Sequence, residues 1–274
     1  MTTARLLTVA VAATALLAAC NRDREPAAPK AGTPAPAAQP ASTTPTAYES
    51  KTPWAEVKLA MPAVLKTQPD LHSQLYAEEM RTLRQFMEGA QGERTEAGGP
   101  EDMPPYAKEI TLTGAAETGT LLSLKRVDFD YSGGAHPNTL TSGILWDKTT
   151  KRRLTGADLF AKGADLTVLD QALCSALNTA KKVRSPDSAS VTLTGSDWSC
   201  PRVTDTPFVL TPGNTPGKAG GLTFLVGPYQ IGPYAEGAYE IAIPLSIFRQ
   251  LLAPAYAPEF AGLPVKTGDI TPTR

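Results

Sequence analysis

Histidine is nearly missing from this chain: His72 and His136 are the only two in 274 residues. No H-x-x-x-H, H-E-x-x-H or C-x-x-C spacing occurs, so the common zinc arrangements are excluded and no metal or other cofactor is expected. The G-x-S-x-G turn that displays a hydrolytic serine is also missing. Neither charge sign dominates, with 26 Lys and Arg against 27 Asp and Glu, so the basic footprint of a nucleic-acid binder is lacking. No apolar run is long enough to remain in a bilayer.

The apolar run that does occur is short and N-terminal. Arg5 supplies a minimal basic start, residues 6–17 are apolar, and Leu17-Ala18-Ala19-Cys20 reads as a lipobox. Residues 1–19 are therefore expected to be a removed lipoprotein signal, and Cys20 the lipidated first residue of the mature chain. Asn21 is not the aspartate of an inner-membrane retention signal, which favours the outer membrane and a lipid-anchored place on the periplasmic side of a bacterial envelope. Processing removes one charge, Arg5, and leaves 25 basic side chains against 27 acidic ones. In such an oxidising space the two remaining cysteines, Cys174 and Cys200, are expected to be bridged, a closure worth about 3.5 kcal/mol.

Residues 26–46 hold thirteen Ala or Pro in 21 positions, with no aromatic residue and one charge. Such a stretch cannot offset the entropy of ordering, so residues 20–47 read as anchor and tether, reaching roughly 60 Å from the membrane. The folded part is read as two intimately associated halves, 48–150 and 151–274.

Val57, Leu59 and Met61 alternate as a strand does, and Pro62 ends it. Pro69 and Asp70 suit a first helical turn, and Leu75, Tyr76, Met80, Leu83 and Met87 recur at helical spacing. Residues 89–106, rich in glycine, proline and acid, read as a mobile loop. Strands follow at Ile110 and Leu112, over 121–131 and over 139–146, the last two forming a hairpin, with antiparallel pairing expected between these neighbours. Thr155 and Asp158 mark a helix start, expected to run to about Lys162, with Leu154 and Leu159 as a hydrophobic staple. Leu166, Leu169, Leu173, Leu177 and Ala180 form a longer helix. Strands over 222–226 and 239–243 and a closing helix from Leu245 to Leu252 complete an α+β fold of antiparallel sheets packed against helices.

Two segments carry unusual chemistry. In the first, residues 131–138, Gly133 and Gly134 permit backbone geometry closed to other residues, and Pro137 holds His136 extended. The tip either displays His136, with Tyr131 and Asn138 beside it, or uses these groups internally to make the turn. In the second, residues 227–237, Gly-Pro-Tyr occurs twice, presenting Tyr229 and Tyr234 ahead of Glu236. Rigid tyrosines of this kind either make a contact surface or pack on the core. Arg126, Asp128 and Asp130 share one strand face, which reads as cross-strand ion pairing or as acid and base beside His136. His72 falls on the polar side of the first helix.

The order of these words, with Phe129-Asp-Tyr-Ser-Gly-Gly-Ala-His-Pro-Asn138 followed by Gly232-Pro-Tyr-Ala-Glu-Gly237, resembles the extracytoplasmic region of the RsiV-like family over about residues 50–254. That region joins a PdaC-type N-terminal half, here 48–150, to a C-terminal domain of unknown function, here 151–274. The resemblance implies sensing at the cell envelope, since one member is an anti-sigma factor whose outer domain binds lysozyme and another precedes a peptidoglycan deacetylase. This chain shows neither a sigma-binding segment nor a deacetylase domain, so neither activity transfers. The expectation is a non-catalytic binding module on a lipid anchor. Its recognition residues would be Tyr131, Gly133, Gly134, His136, Asn138, Tyr229, Tyr234 and Glu236, and its partner a lysozyme-like enzyme or peptidoglycan. The alternative is a glycan hydrolase or deacetylase using His136 with Asp128 or Asp130.

Overall fold

The computed structural model describes residues 40–99, 104–195 and 197–272. The signal segment, Cys20 and the tether up to residue 39 lie outside the described residues. The fold is α+β, with two sheets among the described residues.

The alternation around Val57 forms β2 (Ala55–Ala60), whose outer side pairs antiparallel with a strand not foreseen, β1 (Ala47–Lys51). With Glu49 and Lys51 in its five residues, β1 has no apolar alternation to reveal it. Helix α1 (Pro69–Glu96) then crosses to β3 (Tyr106–Glu117), which lies parallel to β2. The expected antiparallel run of β3, β4 (Leu121–Tyr131) and β5 (Asn138–Asp147) follows, and β6 (Arg152–Leu154) pairs with the far end of β5. Leu71, Leu75 and Leu83 of α1 bury against Val57, Leu59, Ile110, Leu112, Leu124 and Trp146. Each such side chain contributes about 1.5–3 kcal/mol.

Two expectations fail along α1. The helix does not stop near Gly89 but continues through Gly92 to Glu96, so residues 89–96 are helical, not loop. The cause is the inward face: Ala90 and Arg94 are buried, and Arg94 donates to the Pro104 carbonyl at 2.6 Å with its guanidinium over the Tyr106 ring. These contacts offset about 1 kcal/mol of helix propensity at each glycine. His72, placed by periodicity on the polar side, is fully buried. Residues 42–46 fold across it: Ser42 N–H donates to Lys66, Met61 N–H donates to Thr46, and His72 Nε2 lies 3.0 Å from the Pro45 carbonyl.

In the C-terminal half, Thr155 and Asp158 form the expected capping box on α2 (Gly156–Leu159). The helix ends at Leu159, short of Lys162, because Phe160 is extended and bridges Leu252. Helix α3 (Thr167–Arg184) packs on a second sheet, of order β10 (Gly268–Asp269), β9 (Tyr239–Pro244), β8 (Ala219–Val226) and β7 (Phe208–Pro212), antiparallel throughout. The closing helix is α4 (Leu245–Phe248) with a 3-10 turn over Arg249–Leu251. Every residue of β8 is buried, because α3 and one end of the first sheet share its core through Leu169, Leu173, Leu177, Leu121 and Leu145. Cys174 of α3 and Cys200 are disulfide-bonded.

Two joints fix the sheets to each other and a third ties the β3–β4 turn to the 3-10 turn Ala257–Glu259. Leu210 N–H donates to Ser123 Oγ at 3.0 Å, Lys125 meets Glu240 at 2.8 Å, and the Glu259 carboxylate accepts from the Thr118 hydroxyl and from Thr120 N–H. At Gly143 a Cβ would stand 1.8 Å from the Phe208 carbonyl oxygen, so only glycine admits this approach.

Candidate recognition corner

The β4–β5 hairpin turns over residues 132–137, where Gly133 and Gly134 take φ values of +87° and +93° that side chains disfavour. Tyr131 Oη donates to the Gly134 carbonyl at 3.3 Å, which ties the tip to its stem. His136 Nδ1 lies 3.0 Å from the Pro137 carbonyl. A carbonyl only accepts, so this contact suits a proton on Nδ1.

The connection between β8 and β9, residues 227–237, comes to this tip from the other half of the molecule. Tyr234 stacks on His136 with ring centroids 3.9 Å apart and planes 14° from parallel. Its hydroxyl donates to the Pro137 carbonyl at 3.0 Å. Tyr229 closes the cluster, its ring 5.5 Å from that of Tyr234 and its hydroxyl 3.4 Å from His136 Nε2. Tyr229 is 55% exposed and holds φ at +65°, a conformation that costs a non-glycine residue of the order of 1 kcal/mol or more. The Gln230 carboxamide, accepting from Gly227 N–H at 2.8 Å, closes the loop around it.

Beneath the loop lies a buried polar network. Lys181, on the inward face of α3 and 2% exposed, donates to the Ile231 carbonyl at 2.7 Å and to Glu236 at 2.6 Å. Tyr239 donates to the same carboxylate at 3.1 Å, and burial together with that carboxylate pushes its hydroxyl up to about 12. A Cβ at Gly232 would lie 2.6 Å from the Glu236 carboxyl, so a larger residue there would displace the carboxylate that Lys181 holds. Arg184 covers the Tyr239 ring at 3.8 Å and pairs with Asp269 at 2.8 Å. A groove of about 650 Å³ opens beside Tyr234, with Arg184, Asp269 and Pro272 in its walls.

Of the residues singled out in the sequence, His136, Tyr229 and Tyr234 come together, while Tyr131, Gly133 and Gly134 shape the turn. Asn138 is exposed at the start of β5. Glu236 turns inward, into the network under the loop. Lys181 was missed, although its four-residue step from Leu177 put a charge on an apolar stripe, a pattern that demands a buried partner. Asp128 and Asp130 are paired with cations. Lys108 lies 2.6 Å from Asp128 and 3.7 Å from Asp130, and Arg126 bridges Asp128 to Glu79 of α1. Glu79 first, then Asp128, raises the Arg126 pKa against the opposing effect of burial. Among the described residues no group of His, Cys, Asp and Glu could hold a metal ion.

Residues 157–246 match the family described as protein of unknown function DUF3298, a span running from α2 through the second loop of the corner into α4. The chain is similar to the crystal structure of a DUF3298 family protein from Pseudomonas aeruginosa PAO1 at a TM-score of 0.51 and 16% identity, covering 80% of this chain and 94% of that one. It is also similar to a member of the same family from Bacteroides fragilis NCTC 9343, at a TM-score of 0.49 and 21% identity, over 75% and 87% of the two chains. No curated protein matches.

Proposed function

We propose that this chain is a non-catalytic binding module of the bacterial cell envelope, anchored through Cys20, whose recognition surface is the corner of His136, Tyr229 and Tyr234. The observation that carries the reading is the meeting of two loops more than ninety residues apart in one exposed aromatic stack. Neither segment, 131–138 or 227–235, contains Asp, Glu, Lys or Arg. An uncharged, rigid aromatic surface favours a partner read by shape and hydrogen bonding over one steered by charge. A strained Tyr229 at its tip fits the same role, because strain persists where function repays it.

The ligand class comes from the resemblance to the RsiV-like envelope region: a lysozyme-like enzyme or peptidoglycan itself. The hydrolytic alternative finds less support. His136 directs its nitrogens to Pro137 and Tyr229, and the carboxylates of Asp128 and Asp130 are engaged by Lys108 and Arg126.

Calorimetric titration of residues 40–274 with lysozyme and with soluble muropeptides tests the proposal. Binding to at least one of them is expected, with His136→Ala and Tyr234→Ala each weakening it by about tenfold or more. Heat from neither titration would contradict it. For the anchor, mass spectrometry of the envelope fraction is expected to find a chain starting at an acylated Cys20, and an unprocessed Met1 chain would contradict that assignment.

A further inference from the structure

An unpaired strand edge is a template for another strand, and proteins guard such edges with charge, proline, bulges or brevity. This chain guards nearly all of its edges. β1 carries Glu49 and Lys51, β6 has three residues of which two are Arg152 and Arg153, β7 ends in a bulge and Pro212, and β10 is two residues long. β5 differs. Its outer side pairs with β6 only at Leu145, Trp146 and Asp147, and the Phe208 backbone of β7 stands against Gly143, so among the described residues no strand pairs with the edge from Asn138 to Ser142. That stretch, Asn-Thr-Leu-Thr-Ser, has no charge and no proline, and its register with β4 runs without a bulge. Leu140, in its middle, is 60% exposed.

We propose that this edge pairs antiparallel with the same edge of a second copy, joining two six-stranded sheets into one. Symmetry favours that occupant. A two-fold axis at Leu140 sets Leu140 against Leu140, Thr139 against Thr141 and Asn138 against Ser142, so apolar meets apolar and polar meets polar. No like charges face each other across the stretch, and a formal net charge of −2 for the expected mature chain leaves little bulk repulsion between copies. The pairing places two His136–Tyr234 stacks, each belonging to the turn that opens β5, along one continuous edge. Two recognition corners on one particle would raise avidity for a repetitive ligand.

Sedimentation velocity on residues 40–274 over a range of concentrations, joined to hydrogen exchange at the highest and lowest, tests this. The expected result is a concentration-dependent dimer in which those amides of residues 139–142 that point away from β4 exchange more slowly. Leu140→Lys sets two ammonium groups face to face and is expected to weaken association at least about tenfold, with Thr139→Lys as a second variant should the first lower the melting temperature. Val265→Lys, at another exposed apolar residue, is expected to leave association unchanged. A chain that stays monomeric, a dimer indifferent to both edge lysines, or a dimer whose 139–142 amides gain no protection overturns the proposal.

Discussion

At the scale of single residues, Lys181 and Tyr229 divide support from the proposed recognition. Lys181 is buried and its charge is satisfied by Glu236 and the Ile231 carbonyl, so Lys181→Met strands a carboxylate under the loop. A loss of about 3–5 kcal/mol is expected in denaturant unfolding, with Lys181→Met/Glu236→Gln recovering part of it. Tyr229 presents the opposite case. Asparagine tolerates the left-handed region better than tyrosine, so Tyr229→Asn is expected to leave the unfolding free energy unchanged or raise it by about 1 kcal/mol, while binding weakens. A drop in both would place Tyr229 among the structural residues. These roles were only half legible. The two Gly-Pro-Tyr words announced rigid tyrosines, but nothing along the chain shows that His136 will join them, because those contacts span 93 and 97 residues.

At the scale of elements, α1 is the informative case. The apolar stripe that reveals its first five turns fades after Met87, and the pull that extends it comes from tertiary partners of Arg94. Gly89 and Gly92 both face open space within the helix, with nothing within 4 Å of a built Cβ. Gly89→Ala and Gly92→Ala are therefore each expected to stabilise by about 0.5–1 kcal/mol, read as a shift in unfolding midpoint at constant slope. A neutral or negative shift would mean that the last turns of α1 are frayed in solution. Where apolar periodicity and local caps decide an element, the reading was close: β4 spans 121–131 as expected, α3 carries its stripe of leucines, and Thr155 with Asp158 caps α2. Polar or proline-bearing strands such as β1 and β7 escaped notice because packing, not pattern, makes them strands.

At the scale of the whole molecule, the two halves behave as one body only while their joints hold. Glu259 makes one of these. Burial alone would raise its pKa, but the hydrogen bonds from Thr118 and Thr120 outweigh burial and hold it below the ordinary glutamate value. A carboxylate lowered in this way contributes stability that is present above the unfolded pKa near 4.5 and is lost as pH falls through the folded value. Thermal unfolding is thus expected to lose stability progressively below about pH 4.5, and Glu259→Gln to start less stable at neutral pH with a shallower acid decline. An acid limb unchanged by the substitution would assign the joint to other contacts.

The central claim is that the hairpin tip of the first sheet and the β8–β9 loop of the second act as a single recognition surface. Hydrogen exchange of residues 40–274 with and without a saturating ligand found by calorimetry tests it most directly. The account predicts that amides in 131–138 and 227–237 slow together and that His136→Ala shifts both effects to the same higher ligand concentration. Protection confined to one loop, or falling on neither, would contradict it.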